Sequence, residues 1–123
     1  MAHLEKVKLA YDWIATWNAI LAKEKTLDDL VAFYSMAVLY DSPYTKELTK
    51  SDRITNTSQL KNYFIAGLQK YEAHPLTLRQ VFAGEKYLNI IYTGFDDRLT
   101  SEFILLDNDN KFLKVYVSYE AEL

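Results

Sequence analysis

The chain has 123 residues, half of them hydrophobic, which is the size of one domain with a single buried core. Its formal charge of -3 and its scattered Lys and Arg argue against a nucleic-acid partner. The absence of cysteine excludes disulfides, thiolate chemistry and sulfur-ligated metal, so cytoplasmic residence is the expectation.

The N-terminal stretch MAHLEKVKLAYDW is broken by Glu5, Lys6, Lys8 and Asp12, so it lacks the apolar run of a signal peptide. No later segment approaches the about 20 apolar residues of a membrane span, and a membrane partner is not expected. Val7, Ala10, Tyr11, Ile14, Trp17 and Leu21 recur at helical spacing, with Trp13 and Ile20 on the shoulder of the stripe. Thr26, followed three residues later by Asp29, reads as a capping-box variant opening a second helix with the stripe Leu27, Leu30, Val31 and Tyr34. The run Ala37 to Tyr40 has strand character, and Pro43 ends it because proline cannot donate to a ladder.

Between Tyr44 and Ile54 the pattern is polar and aperiodic, which predicts a long connection without secondary structure. Asn56 or Thr57 caps a third helix along Leu60, Tyr63, Phe64, Gly67, Leu68 and Tyr71, closed by His74-Pro75. Four strand-like segments follow: about Leu76 to Ala83, Tyr87 to Phe95, Leu99 to Leu106 and Phe112 to Glu120. Their short, turn-rich connections predict an antiparallel meander. Three helices on a curved sheet make a two-layer α+β domain spanning 1–123. In the segment LTSEFILL both alternating faces carry apolar residues, so a second copy of the chain covering the outer face is expected, giving a homodimer.

The order of these elements, with WNA in the first helix, then LDDLVAFYSMAVLYDSP, NTSQLKNYF and FILLDNDNKFLKVYV, resembles the nuclear transport factor 2-like superfamily. The likeness covers about Tyr11 to Tyr119 and is closest to the SnoaL-like polyketide cyclase and ketosteroid isomerase branch. It implies a cystatin-like cone in which helices close a strongly bent sheet around a deep, mostly apolar pocket. The superfamily hosts isomerases, cyclases, hydrolases, dehydratases and transport adaptors, so the resemblance does not fix a reaction.

In ketosteroid isomerases a first-helix tyrosine and a protonated aspartate form an oxyanion hole, and a second aspartate moves the proton. Matching motifs places Trp13 at the tyrosine, Glu102 at the oxyanion-hole aspartate and Ser42 at the proton-moving aspartate, with Asp41 one residue out of register. A one-residue bulge would carry Asp41 into the pocket.

Glu102 and Asp41 are thus the candidate catalytic acid/base pair. Apolar neighbours would desolvate Glu102 and raise its pKa, unless it faces outward and pairs with a Lys or Arg. Asp41 is either a general base or the start of an Asx-turn. Ser42 has no adjacent His to activate it and reads as a turn residue. Trp13, Trp17, Tyr40, Tyr63 and Tyr119 are candidate pocket walls, and equally ordinary core. His3 lies near the terminus and His74 at a helix end, where capping or solvent exposure is the simpler role. No spacing suits a metal, since the cluster Asp107 to Asn110 lacks the glycine and glutamate of a calcium loop, and no cofactor is expected. The functional expectation is a pocket protein for a small apolar or aromatic molecule, with or without acid/base chemistry. The alternative is a non-catalytic interaction or dimerisation module of the same fold.

Overall fold

A computed structural model describes residues 2–94 and 97–122, with side chains from Leu4 onward. The readings for His3, Phe95 and Asp96 lie outside the described residues or side chains. Helix α1 spans Ala2–Leu21. It buries Ala10, Trp13, Ile14 and Trp17, whereas Tyr11 is 61% exposed. Each residue turns the helix by about 100°, which carries Tyr11 off the face that Ala10 occupies.

Helix α2, Leu27–Val31, starts as its capping signal predicts: the Thr26 N–H donates to Asp29 Oδ2 at 2.9 Å. It is shorter than its apolar stripe implies. Tyr34 opens strand β1, Tyr34–Asp41, where its ring packs against Phe64 and Phe112. The stretch expected to be irregular contains helix α3, Thr45–Thr49. Its surroundings hold it. Glu47 takes Lys70 and the Tyr71 hydroxyl, and Ile54 pairs with Tyr40 while its side chain is fully buried. Helix α4, Thr57–Lys70, is capped by Asn56, whose Oδ1 accepts the Gln59 N–H at 2.9 Å.

Strands β2 (Thr77–Ala83), β3 (Tyr87–Thr93), β4 (Leu99–Leu106) and β5 (Phe112–Tyr119) form the antiparallel meander. Strand β1 adds to it by pairing parallel with β5, giving the order β1-β5-β4-β3-β2. The helices cover one sheet face, with α1 against β2 and β3 and α4 against β1. Alternation along β4 turns Thr100, Glu102, Ile104 and Leu106 inward and leaves Leu99 and Phe103 exposed outside. No helix among the described residues is long and apolar enough to cross a membrane.

Candidate functional site

Between α3, α4 and the inner face of β1, β3, β4 and β5 lies a cavity of about 370 Å³. Trp17, Tyr40, Tyr63, Phe64, Tyr92, Val117 and Tyr119 supply most of its walls, and Leu48 and Leu68 line it from α3 and α4. Edge-to-face and tilted ring contacts brace these walls: Trp17 meets Phe64 at 5.3 Å and Tyr40 meets Tyr63 at 5.3 Å between centroids.

Glu102 lines this cavity from β4 and is only 3% exposed. Its register partners are Ile90 on β3 and Val117 on β5, both buried. Tyr92, diagonally placed on β3, donates its hydroxyl to Oε2 at 2.5 Å. Among the described residues, Oε1 has no hydrogen-bond partner. Burial pushes the carboxyl up to about 7, against the Tyr92 hydrogen bond, which favours the charged form and pulls it down. The group therefore exchanges its proton near neutrality.

The surrounding tyrosines do not. Burial first, and the Glu102 charge second, hold Tyr34 and Tyr92 well above the ordinary phenol value. Burial likewise raises Tyr63 to about 12, while its hydrogen bond to Ser42 pulls the other way. They are hydroxyl donors at neutral pH, and none is a base. Tyr63 donates to Ser42 Oγ at 2.8 Å, and Ser42 Oγ also accepts the Tyr44 N–H at 3.3 Å. Ser42 is thus a buried anchor for pocket hydroxyls, besides turning the chain into α3.

Of the residues expected from sequence, Glu102, Trp17, Tyr40, Tyr63 and Tyr119 meet around one cavity. Two do not. Trp13 is 1% exposed and sits behind the wall, its indole N–H donating to the Tyr34 hydroxyl at 3.1 Å and its ring 5.5 Å from that of Tyr92. Asp41 is exposed, opposite Tyr116 on the outer face. Strand β1 does carry a register irregularity, but between Tyr34 and Leu39, and pairing is regular from Leu39 through Asp41. The shift lies upstream of Asp41 and does not turn it inward.

At the mouth lie Tyr44, Tyr71, Glu72, His74 and Arg98. Sequence reading set His74 aside as a helix end and did not find Arg98 or Tyr92. The alternation Leu88, Ile90, Tyr92 was the available signal for Tyr92. No group of three or more His, Asp or Glu among the described residues is placed to hold a metal ion.

No family description and no curated protein matches the chain by sequence. Solved structures match its backbone. A SnoaL-like protein of unknown function from Burkholderia thailandensis superposes with a TM-score of 0.82 at 21% identity, over 94% of each chain. The fold is that of the nuclear transport factor 2-like superfamily. A nuclear transport factor 2-like protein of unknown function from Burkholderia xenovorans superposes with a TM-score of 0.68 at 16% identity, over 100% of this chain and 89% of that one. TerC, co-crystallised with polyporic acid, superposes with a TM-score of 0.75 at 8% identity, over 98% of this chain and 92% of that one. At these identities the likeness to nuclear transport factor 2-like proteins is one of fold.

Proposed function

We propose that the cavity binds a small, largely apolar or aromatic organic molecule and that Glu102 exchanges a proton with it. The observation that carries this reading is the unpartnered Oε1 of a buried carboxyl that lines an aromatic cavity. A buried polar atom left without a partner costs about 1–3 kcal/mol, which a ligand hydroxyl or carbonyl recovers on binding. With a pKa near 7, Glu102 accepts from a hydroxyl when ionised and donates to a carbonyl when protonated. That is the behaviour needed for isomerase, cyclase or lyase chemistry at a carbonyl-bearing ligand. The co-crystallisation of TerC, a protein of this fold, with polyporic acid supports the ligand class.

The test is thermal unfolding across a panel of aromatic hydroxy and keto compounds, because a ligand that binds only the native state raises the midpoint by mass action. Hits should lose most of their shift in Glu102→Gln. No shift across the panel, together with tight capture of a protein partner by the chain, would favour the interaction-module alternative.

A homodimer through the outer sheet face is part of the same proposal. Phe82, Asn89, Phe103 and Tyr116 stand in one cross-strand row over four strands, and the three aromatic members are each more than one third exposed. Beside them Tyr87 stacks on Phe103 at 5.6 Å. A contiguous aromatic patch of this kind is what a partner surface covers. Sedimentation equilibrium should give a dimer that Phe103→Glu converts to monomer, and a monomeric wild type would sink this part of the proposal.

A further inference from the structure

We infer that Gly67 sets the length of ligand this cavity accepts, and that the ligand is an elongated molecule with a polar head at Glu102 and an apolar tail reaching the bare backbone of α4. This inference deepens the pocket reading and rests on it. The chain has three glycines. Two answer to crowding: a Cβ at Gly84 would come within 2.1 Å of the Tyr87 ring, and one at Gly94 within 2.2 Å of the Leu76 side chain. Gly67 is different. A Cβ there would meet Leu48 Cδ1 at 3.6 Å, an ordinary van der Waals contact, and no other described atom beyond its chain neighbours and its own helix backbone within 4 Å. Nor does the backbone ask for glycine. Gly67 lies inside α4, its φ is not positive, and its carbonyl accepts the Tyr71 N–H at 2.9 Å, so it is not the left-handed residue that stops a helix. In a helix interior glycine is the poorest choice after proline, and alanine would serve the fold better. What the missing side chain leaves is room in the cavity that Gly67 lines.

The place of that room gives the ligand its shape. Tyr63 and Tyr71, four residues to either side of Gly67, line the same cavity, as does Leu68, and Leu48 closes in from α3. The recess at Gly67 is therefore walled by ring and leucine side chains. Glu102, with its unpartnered Oε1, enters the cavity from β4 on the sheet side. A ligand whose hydroxyl or carbonyl meets Oε1 thus directs its far end across the cavity to α4. There the missing Cβ lets an apolar tail touch the helix backbone.

The experiment titrates the full chain calorimetrically with para-alkylphenols from methyl to octyl. In the wild type, affinity should rise about threefold with each methylene until the tail meets α4, and then stop rising. Gly67→Ala should bring that limit forward by about one carbon and Gly67→Leu by about three, with the shorter phenols bound within about twofold of wild type. Should the leucine variant not fold, the alanine variant decides alone. Without ligand, Gly67→Ala should unfold at a midpoint no lower than wild type, and a few degrees higher by helix propensity. A lower midpoint would show that folding itself needs the glycine, and would overturn the inference. The same limit in wild type and Gly67→Ala, or a loss shared equally by short and long phenols, would overturn the role of Gly67 and leave the pocket reading standing. Binding of no alkylphenol would overturn the pocket reading and this inference with it.

Discussion

Tyr92 and Glu102 sit diagonally on neighbouring strands, and the phenol donates to carboxylate Oε2 across 2.5 Å while Oε1 is left for something else. The pair divides one carboxyl into a positioned oxygen and an available one. Tyr92 acts through Glu102, so it is a positioning residue, and its removal should be read in the titration of its partner. The hydrogen bond favours the ionised form, so Tyr92→Phe should raise the Glu102 pKa from about 7 to about 8. A carboxyl-carbon NMR titration, with the Glu102 signal assigned by its loss in Glu102→Gln, measures this directly. A pKa that falls or stays fixed would mean that burial alone sets the value.

The same carboxyl makes stability depend on pH. Its folded value of about 7 lies above the ordinary 4.5, so across that window the folded chain keeps a proton that the unfolded chain has lost. Stability from this group is full below the lower value, declines as pH rises, and levels off above the higher one. The whole change amounts to about 3 kcal/mol. Glu102→Gln cannot titrate, so the stability difference between wild type and variant should move by about that amount in favour of the variant over this window. Urea unfolding at several pH values checks it, and a pH-independent difference would show that the carboxyl titrates in its ordinary range.

How far the sequence spoke can be judged from β4. Its bounds are legible because turn residues flank LTSEFILL, yet the face of Glu102 is not, since Phe103 and Leu105 alternate with Ile104 and Leu106. Only the helix layer decides: Ile104 is fully buried under it and Phe103 is 38% exposed. Helix α3 is too short to show a period and forms because Glu47, Leu48 and Ile54 find partners far along the chain. Trp13 and Trp17 share a helix face, but four residues separate them by about 6 Å along the axis, and only Trp17 reaches the cavity. Local signals revealed the elements, and cross-chain packing chose which side chains share a site.

Asp41 and Ser42 offer a test of that choice, since Asp41 closes β1 and Ser42 follows it directly, yet one is exposed and the other buried. Asp41 is exposed and Ser42 is buried beneath the Tyr63 hydroxyl. Asp41→Asn should therefore leave ligand affinity within about twofold of wild type. Ser42→Ala removes the acceptor of a buried hydroxyl and should cost about 1–2 kcal/mol of stability, with weaker ligand binding as Tyr63 loses its anchor. Parallel thermal unfolding and binding titrations of the two variants measure both effects. Loss of binding in Asp41→Asn would restore that carboxylate as a candidate base.

Asn18, the middle residue of the WNA motif, ties the first helix to the sheet. Its Nδ2 donates to the Leu76 carbonyl at 2.9 Å and its Oδ1 accepts the Leu76 N–H at 2.7 Å, so one amide satisfies both backbone groups just before β2 begins. Leu76 is buried, and it lies so close to Gly94 that a Cβ there would come within 2.2 Å of its side chain. The two backbone groups of Leu76 thus belong to a closely packed, buried residue. Asn18→Ala should accordingly cost about 2–3 kcal/mol, more than one ordinary hydrogen bond, because two backbone groups lose their partner together. Asn18→Asp keeps the acceptor and loses the donor, so it should fall between the two. Chemical denaturation of the three proteins at one pH ranks them, and equal stability of wild type and Asn18→Ala would show that the clasp contributes nothing beyond what the packing of Trp13 and Trp17 already fixes.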